Sequence, residues 1–176
     1  MKTKVLLFTS IVALMLSGCG GPAEWKEFSS SAGGFAVSFP GQPQEETQSV
    51  PTAAGDIEMH LFTLDQGNQG YVVGYFDLPE SLLGLTDAAT LLQGAMEGAF
   101  GNVGGSIESQ RDVTLNGFTG LEAGGSFSYE GENGTMKARA YLVNERVFQV
   151  YAAGRTDTSG SADIDRFLDS FKLTSD

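Results

Sequence analysis

Cys19 is the residue whose position in the sequence points most directly to a chemical modification. It is the only cysteine among 176 residues, and it follows a run of twelve mostly apolar residues, 5–16, preceded by two lysines. A helix that spans a bilayer needs about 20 apolar residues, whereas the hydrophobic region of a signal peptide takes about 7–15. The run therefore predicts export, with a thiol placed directly after the leader.

The three residues before this thiol, Leu16, Ser17 and Gly18, resemble the lipobox of bacterial lipoprotein signal peptides, which signal peptidase II cleaves. The resemblance implies a diacylglyceryl thioether on Cys19 and often a third, amide-linked chain. One acyl chain binds a membrane only marginally, but two or three anchor a protein stably. A cysteine of the core is the alternative, but a thiol followed by Gly20, Gly21 and Pro22 has no core to enter.

We therefore expect a signal peptide over 1–18, a lipid-anchored tether over 19–24 and a single domain over 25–176. The expected location is extracytoplasmic and membrane-anchored. Glycine rather than aspartate after the lipidated residue favours the periplasmic leaflet of the outer membrane if the organism is Gram-negative.

His60 is the only histidine, so any catalytic dyad or triad that uses an imidazole depends on it alone. The sequence has no Gly-x-Ser-x-Gly nucleophile elbow and no second histidine or free thiol for a zinc or copper site. The acidic run 157–165 lacks the glycine and terminal glutamate of an EF-hand loop. We expect no enzyme activity, no cofactor and no metal, and we interpret His60 as a half-buried strand residue.

Tyrosines and basic residues recur on the predicted strands and could line a groove for an anionic or peptide partner. The candidates are Tyr71, Tyr75, Tyr141, Arg139 and Arg146. The same pattern on the strands also includes Tyr129, Tyr151 and Lys137. The alternative is a sheet face covered by helix and edge packing.

The elements that must position these side chains are mostly strands. Alternating apolar and polar residues predict strands near 25–29, 35–39, 57–63, 71–76, 111–115, 118–122, 126–129, 136–143 and 146–151. Helices are predicted from an N-cap at Thr86 and from a second N-cap at Ser161. Residues 45–55 are predicted to be a loop or an irregular edge. Short hairpins make neighbouring strands antiparallel, so the prediction is an α+β fold, an antiparallel meander flanked by helices.

Four stretches of this sequence, within residues 25–174, resemble the PsbP/Mog-like superfamily: 34–40 (GFAVSFP), 116–120 (NGFTG), the strand pair 138–151 and 165–173 (DRFLDSFKL). The resemblance implies an α/β/α sandwich around an antiparallel sheet. Members of this superfamily dock on larger assemblies without catalysing a reaction. The shared motifs are turn glycines and core aromatics, so no functional residue is carried over.

The net charge of −12 excludes two classes of partner. Nucleic acids and anionic lipid surfaces both reward clusters of lysine and arginine, and loss of the leader would remove two lysines. We expect a non-enzymatic, lipid-anchored envelope lipoprotein that docks on an envelope protein assembly. The alternative is a carrier or sensor of a small ligand, with a pocket between the sheet and the helix 86–100.

Overall fold

The computed structural model describes residues 24–52, 55–79, 86–129, 131–155 and 161–174. Its elements in chain order are β1 (Lys26–Ser30), β2 (Phe35–Phe39), β3 (Gln44–Thr52), β4 (Gly55–Asp65), β5 (Gln69–Asp77), α1 (Ala88–Gly101), β6 (Ser106–Leu115), β7 (Phe118–Tyr129), β8 (Glu132–Val143), β9 (Arg146–Arg155), α2 (Ser161–Ser170) and β10 (Lys172–Leu173). Neither of these two helices is long and apolar enough to cross a membrane.

The strands form two antiparallel sheets. The large sheet has seven strands in the order β3-β4-β5-β9-β8-β7-β6, and the small sheet has three in the order β1-β2-β10. The predicted α+β class is confirmed, although the prediction placed all strands in one sheet. The first hairpin instead separates from the meander, because β2 pairs with the C-terminal strand β10.

The turn between β6 and β7 is the predicted two-residue hairpin. Asn116 and Gly117 have φ angles of 51° and 87°, the positive values that a type I′ turn requires at both central positions. Asparagine and glycine tolerate this left-handed region better than other residues. The turn sets the register of the pair, which places Arg111 opposite Glu122.

Two local predictions differ from the structure. Residues 45–52, predicted to be a loop or an irregular edge, belong to β3, a full edge strand paired residue by residue with β4. Its glutamates, glutamines and serine are exposed, which is how natural proteins protect a sheet edge and why no alternation was visible. The N-cap of α1 is Asp87 and not Thr86, because the Asp87 carboxylate accepts from the backbone N–H and the hydroxyl of Thr90.

The large sheet is covered on its two faces by different elements. Helix α1 packs on β6, β7 and β8 on one face, where Leu92, Met96 and Phe100 lie on the small side chains Ala123, Ala138 and Ala140. On the other face, α2 and the small sheet enclose an aromatic core with β4, β5 and β9. The predicted apolar stripe of the last helix is buried there as Ile164, Phe167, Leu168 and Phe171.

Phe35 is the centre of that aromatic core. Its ring is fully buried and has five aromatic neighbours at centroid distances of 5.2 to 6.3 Å: Phe28, Phe62, Tyr75, Phe148 and Phe171. These rings come from the small sheet, the large sheet and the end of α2. One phenylalanine therefore joins both sheets and the C-terminal helix.

Candidate functional site

The predicted lipidation motif, Leu16, Ser17, Gly18 and Cys19, lies outside the described residues. The predicted groove lies within them. Tyr71, Tyr75 and Tyr141 are 1%, 4% and 4% exposed, so their rings belong to the core and do not line an open groove. Burial, helped by the charge of Asp163, raises the pKa of Tyr71 to about 12, which fits its role as a buried, neutral ring.

Arg146 and Tyr75, both in the predicted set, do come together. The guanidinium carbon of Arg146 lies 4.6 Å from the Tyr75 ring centre, and its Nε and Nη2 donate to the two carboxylate oxygens of Asp77 at 2.6 and 2.8 Å. Its Nη1 donates to the carbonyl oxygens of Ala32 and Gly33. Arg146 therefore holds the β1–β2 turn against the ends of β5 and β9, and its hydrogen bond to Asp77 lowers the pKa of that carboxyl group.

Arg139 belongs to a second array, centred on Glu122. Glu122 is 5% exposed and lies opposite Arg111 on one side and Arg139 on the other. Each arginine Nε donates to one of its carboxylate oxygens at 2.7 Å, and Lys137 Nζ lies 3.9 Å away. Burial alone would raise the pKa of Glu122, but the hydrogen bonds from the two arginines outweigh it and the pKa is lowered.

The same array connects the sheet to α2. Arg139 Nη2 donates to Asp169 and Lys137 Nζ donates to Asp165, each at 2.7 Å. Since α2 also covers the aromatic core, these pairs fix the position of the helix across the sheet. The array is a structural clamp, and every cation in it has a carboxylate partner.

We predict that Glu122→Gln lowers the free energy of unfolding at neutral pH by about 1–3 kcal/mol, because two arginines lose the charge that compensates them in a nearly buried site. A depressed pKa in the folded state contributes stability that is present above the unfolded value, roughly 4.3, and is lost as the pH falls through the folded value. The difference between the wild type and the variant should therefore shrink below about pH 4. Urea unfolding between about pH 3 and pH 7 measures both effects.

Glu27→Gln is the matched control for this experiment. Glu27 also pairs with a cation at 2.7 Å, but its side chain and that of Lys172 are 58% and 56% exposed. Solvent screens such a pair, so the free energy of unfolding should fall by less than about 1 kcal/mol. Equal effects of the two substitutions would contradict a clamp at Glu122.

His60 lies beside Tyr75 and not in a polar cleft. Its ring stacks on Tyr75 with centroids 4.6 Å apart, and its Nδ1 is 3.1 Å from the hydroxyl of Thr47. Among the described residues, no group of three or more potential metal ligands forms. Its position agrees with the half-buried strand residue expected from the sequence.

A different surface of the large sheet has the character of a contact site. We call it the outer face, formed by Val50 on β3, Ile57, Met59 and Leu61 on β4, and Val72 and Phe76 on β5. These side chains point away from Phe62, Tyr71 and Tyr75, because successive residues of a strand alternate between faces. Val50 is 36% exposed and the other five are half-buried.

The two described helices pack mainly on surfaces other than the outer face. The contacts of α1 are with β6, β7 and β8, and those of α2 are with β2, β8 and β9. Gly74 lies beneath this surface, where a Cβ atom would be 3.1 Å from the Leu61 side chain, so Leu61 lies flat across the neighbouring strand. The outer face is thus an apolar surface formed by side chains of three neighbouring strands.

Two cavities of the described residues lie outside the outer face. One of about 420 Å³ lies between the C-terminal half of α1 and β6, close to the predicted ligand pocket. Its amide and carboxylate groups bind one another, since Gln93 donates to Glu97 and Gln110 donates to Gln93. A second of about 300 Å³ lies beside Arg146 and Asp77, at the end of β9.

Sequence reasoning missed Glu122, Asp77 and the outer face. A signal for the outer face was present, because Ile57, Met59 and Leu61 are apolar while Phe62 and Leu64 on the opposite side of β4 are apolar too. A strand that is apolar on both sides is either covered on both sides or leaves one apolar side at the protein surface.

No family model matches the sequence, and no curated protein matches it. Several solved structures do match the fold. The chain is similar to cyanobacterial PsbP (CyanoP) from Synechocystis sp. PCC 6803, with 13% identity and a TM-score of 0.55 over 90% of this chain and 98% of that one.

Two further structures are similar to this chain at lower scores. One is LpqN of Mycobacterium tuberculosis, described as involved in cell envelope biogenesis, with 16% identity and a TM-score of 0.47 over 86% of this chain and 91% of that one. The other is PA94 of Pseudomonas aeruginosa, a protein of unknown function, with 12% identity and a TM-score of 0.41 over 62% and 83%. The likeness to CyanoP, over nearly the whole of both chains, gives this protein a PsbP-like α+β fold.

Proposed function

We propose that this protein is a non-enzymatic, lipid-anchored envelope lipoprotein whose domain docks on an envelope protein assembly. The anchor part of the proposal comes from the sequence around Cys19. The docking part is supported by the outer face, an apolar surface on a protein that is otherwise strongly acidic. Apolar surface of this kind on a folded domain is typical of interaction sites.

The fold is compatible with this role. LpqN is described as involved in cell envelope biogenesis and CyanoP is a PsbP protein, and we infer a comparable accessory position for this chain. The polar arrays around Glu122 and Arg146 are structural in this account, because each pairs carboxylates with guanidinium groups and ties elements together.

Chemical crosslinking in intact cells tests the proposal. A crosslinked species of defined mass is expected for the wild type and should be lost in the double variant Val50→Asn with Met59→Asn, which removes apolar contacts from the outer face. The matched control replaces two exposed threonines on the opposite edge hairpin, Thr114→Asn with Thr119→Asn, and should keep the species. A species that both double variants retain would contradict docking through the outer face.

A small-ligand carrier remains the second candidate, supported by the cavity of about 420 Å³ beside α1. That volume lies within the range of ligand sites, about 300–1,000 Å³. A carrier should gain thermal stability when its ligand is added. The absence of any crosslinked protein, together with a rise in melting temperature in an envelope extract, would favour the carrier.

A further inference from the structure

The positive charges of this chain are distributed very unevenly. Residues 27–110 contain eleven carboxylate side chains and no lysine or arginine. This span includes β3, β4, β5 and α1, so one half of the large sheet and the helix that covers the other half carry no basic residue. The basic residues outside the leader are Lys26 and seven others within 111–172.

One carboxylate of the β3–β4 hairpin lies on the outer face, Glu46, which is opposite Leu61. Glu45, Asp56 and Glu58 are exposed on the same two strands, with their side chains on the other face of the sheet. None of the four forms an ion pair with another described residue, and Glu46 accepts a hydrogen bond from the side-chain amide of Gln48. Their charges are therefore not compensated within this part of the protein.

The strand β9, which carries Arg146 and Arg155, is separated from β4 by β5 in the order of the sheet. Arg146 is held by both carboxylate oxygens of Asp77. The apolar outer face thus lies in a negative electrostatic field.

From this combination we infer that the outer face binds a segment of a partner protein in which lysine or arginine alternates with apolar side chains. The inference rests on the proposed docking function and specifies the chemistry of the partner. Apolar side chains of the segment would cover Val50, Met59 and Leu61, and its cations would lie against Glu46. Complementary charges of this kind select the partner and accelerate association.

The same charges argue against two other occupants. A second copy of this chain would bring the hairpin carboxylates against an identical set, and like charges across an interface oppose association. An anionic lipid surface would be repelled for the same reason. A cationic protein segment is the occupant that both the apolar side chains and the carboxylates favour.

Three labelled peptides of about twelve residues test the inference by fluorescence anisotropy. They alternate valine with lysine, valine with glutamate, and serine with lysine, and the protein is the full chain in a neutral detergent, with detergent alone as the baseline. The valine–lysine peptide should bind at least about tenfold more tightly than either of the others. Its affinity should fall as salt is added, because exposed charges are screened within roughly 10 Å at 0.1 M.

Charge reversal locates the site. The variant Glu46→Lys should weaken binding of the valine–lysine peptide at least about fivefold. Asp112→Lys, at an exposed position on the opposite edge strand β6, should change it less than about twofold. Equal weakening by both variants would show general attraction to an acidic protein and would overturn the inference, as would equal or tighter binding of the valine–glutamate peptide.

The failure of this inference is distinguishable from the failure of docking itself. A partner that crosslinks to the outer face in cells through an acidic segment, or a crosslinked second copy, would overturn the cationic partner and leave a docking surface in place. If the crosslinks formed in cells all lie away from the outer face, docking through this surface is overturned, regardless of the peptide-binding result.

Discussion

Cys19→Ala is expected to abolish lipid attachment completely. The alanine side chain has no sulfur to form a thioether, and the sequence offers no other cysteine to replace it. Each methylene group buried in a bilayer contributes roughly 0.8 kcal/mol, so the loss of two or three acyl chains removes the whole basis of stable anchoring. The product should be an uncleaved precursor or a protein released from the membrane.

Metabolic labelling with a radioactive fatty acid measures this effect. The wild-type protein should carry label and sediment with membranes, whereas the Cys19→Ala protein should carry none. Ser17→Ala is the control, since it keeps a small residue in the same motif and leaves the thiol in place. Label on the Cys19→Ala protein would contradict the anchor.

Phe35→Ala is expected to have the largest effect on stability among core substitutions. The ring has no solvent exposure and contacts five other aromatic rings from three parts of the fold. Truncating a buried phenylalanine lowers the free energy of unfolding by about 3–5 kcal/mol, because transfer energy is lost and a cavity remains. For a chain of this size, such a loss lowers the melting temperature by roughly 10 °C.

Two further variants make this result specific to the core. Phe35→Leu keeps much of the apolar volume and should cost clearly less than the alanine variant. Val50→Ala, at the most exposed large apolar side chain among the described residues, should change stability by about 0.5 kcal/mol or less. A melting temperature that Phe35→Ala leaves unchanged would contradict the placement of this ring at the junction of the two sheets.

The parts of this structure that local sequence determines were the parts that could be predicted. The turn at Asn116 and Gly117 needs only two residues that tolerate positive φ angles, and its position alone places Arg111 opposite Glu122. The buried stripe of α2 follows from helical spacing. Both predictions depend on residues less than a dozen positions apart.

The features that sequence reasoning did not reveal depend on distant pairing or on weak patterns. The pairing of Asp77 with Arg146 requires β5 to lie beside β9, which no local signal indicates. The burial of Tyr71, Tyr75 and Tyr141 was not visible, because aromatic residues that alternate along a strand give the same pattern whether a helix covers them or a ligand does. Strand β3 was predicted only as a loop or an irregular edge, because an edge strand needs polar residues on both sides and a loop has the same composition.

The outer face depends both on local sequence and on the pairing of distant strands. The apolar residues of β4 and the absence of lysine and arginine over 27–110 are both visible in the sequence. Their proximity is not, because it depends on β3, β4 and β5 forming one end of a seven-stranded sheet while α1 packs on the other end.

Site-specific photo-crosslinking in intact cells tests the central claim most directly. A photoreactive residue at position 50 on the outer face should crosslink to one protein, and the yield should fall sharply when Cys19→Ala removes the anchor. The same residue at position 112, on the opposite edge of the sheet, should give no such product. Equal crosslinking from both positions, or crosslinking at position 50 that does not depend on Cys19, would contradict a lipid-anchored domain that docks through its outer face.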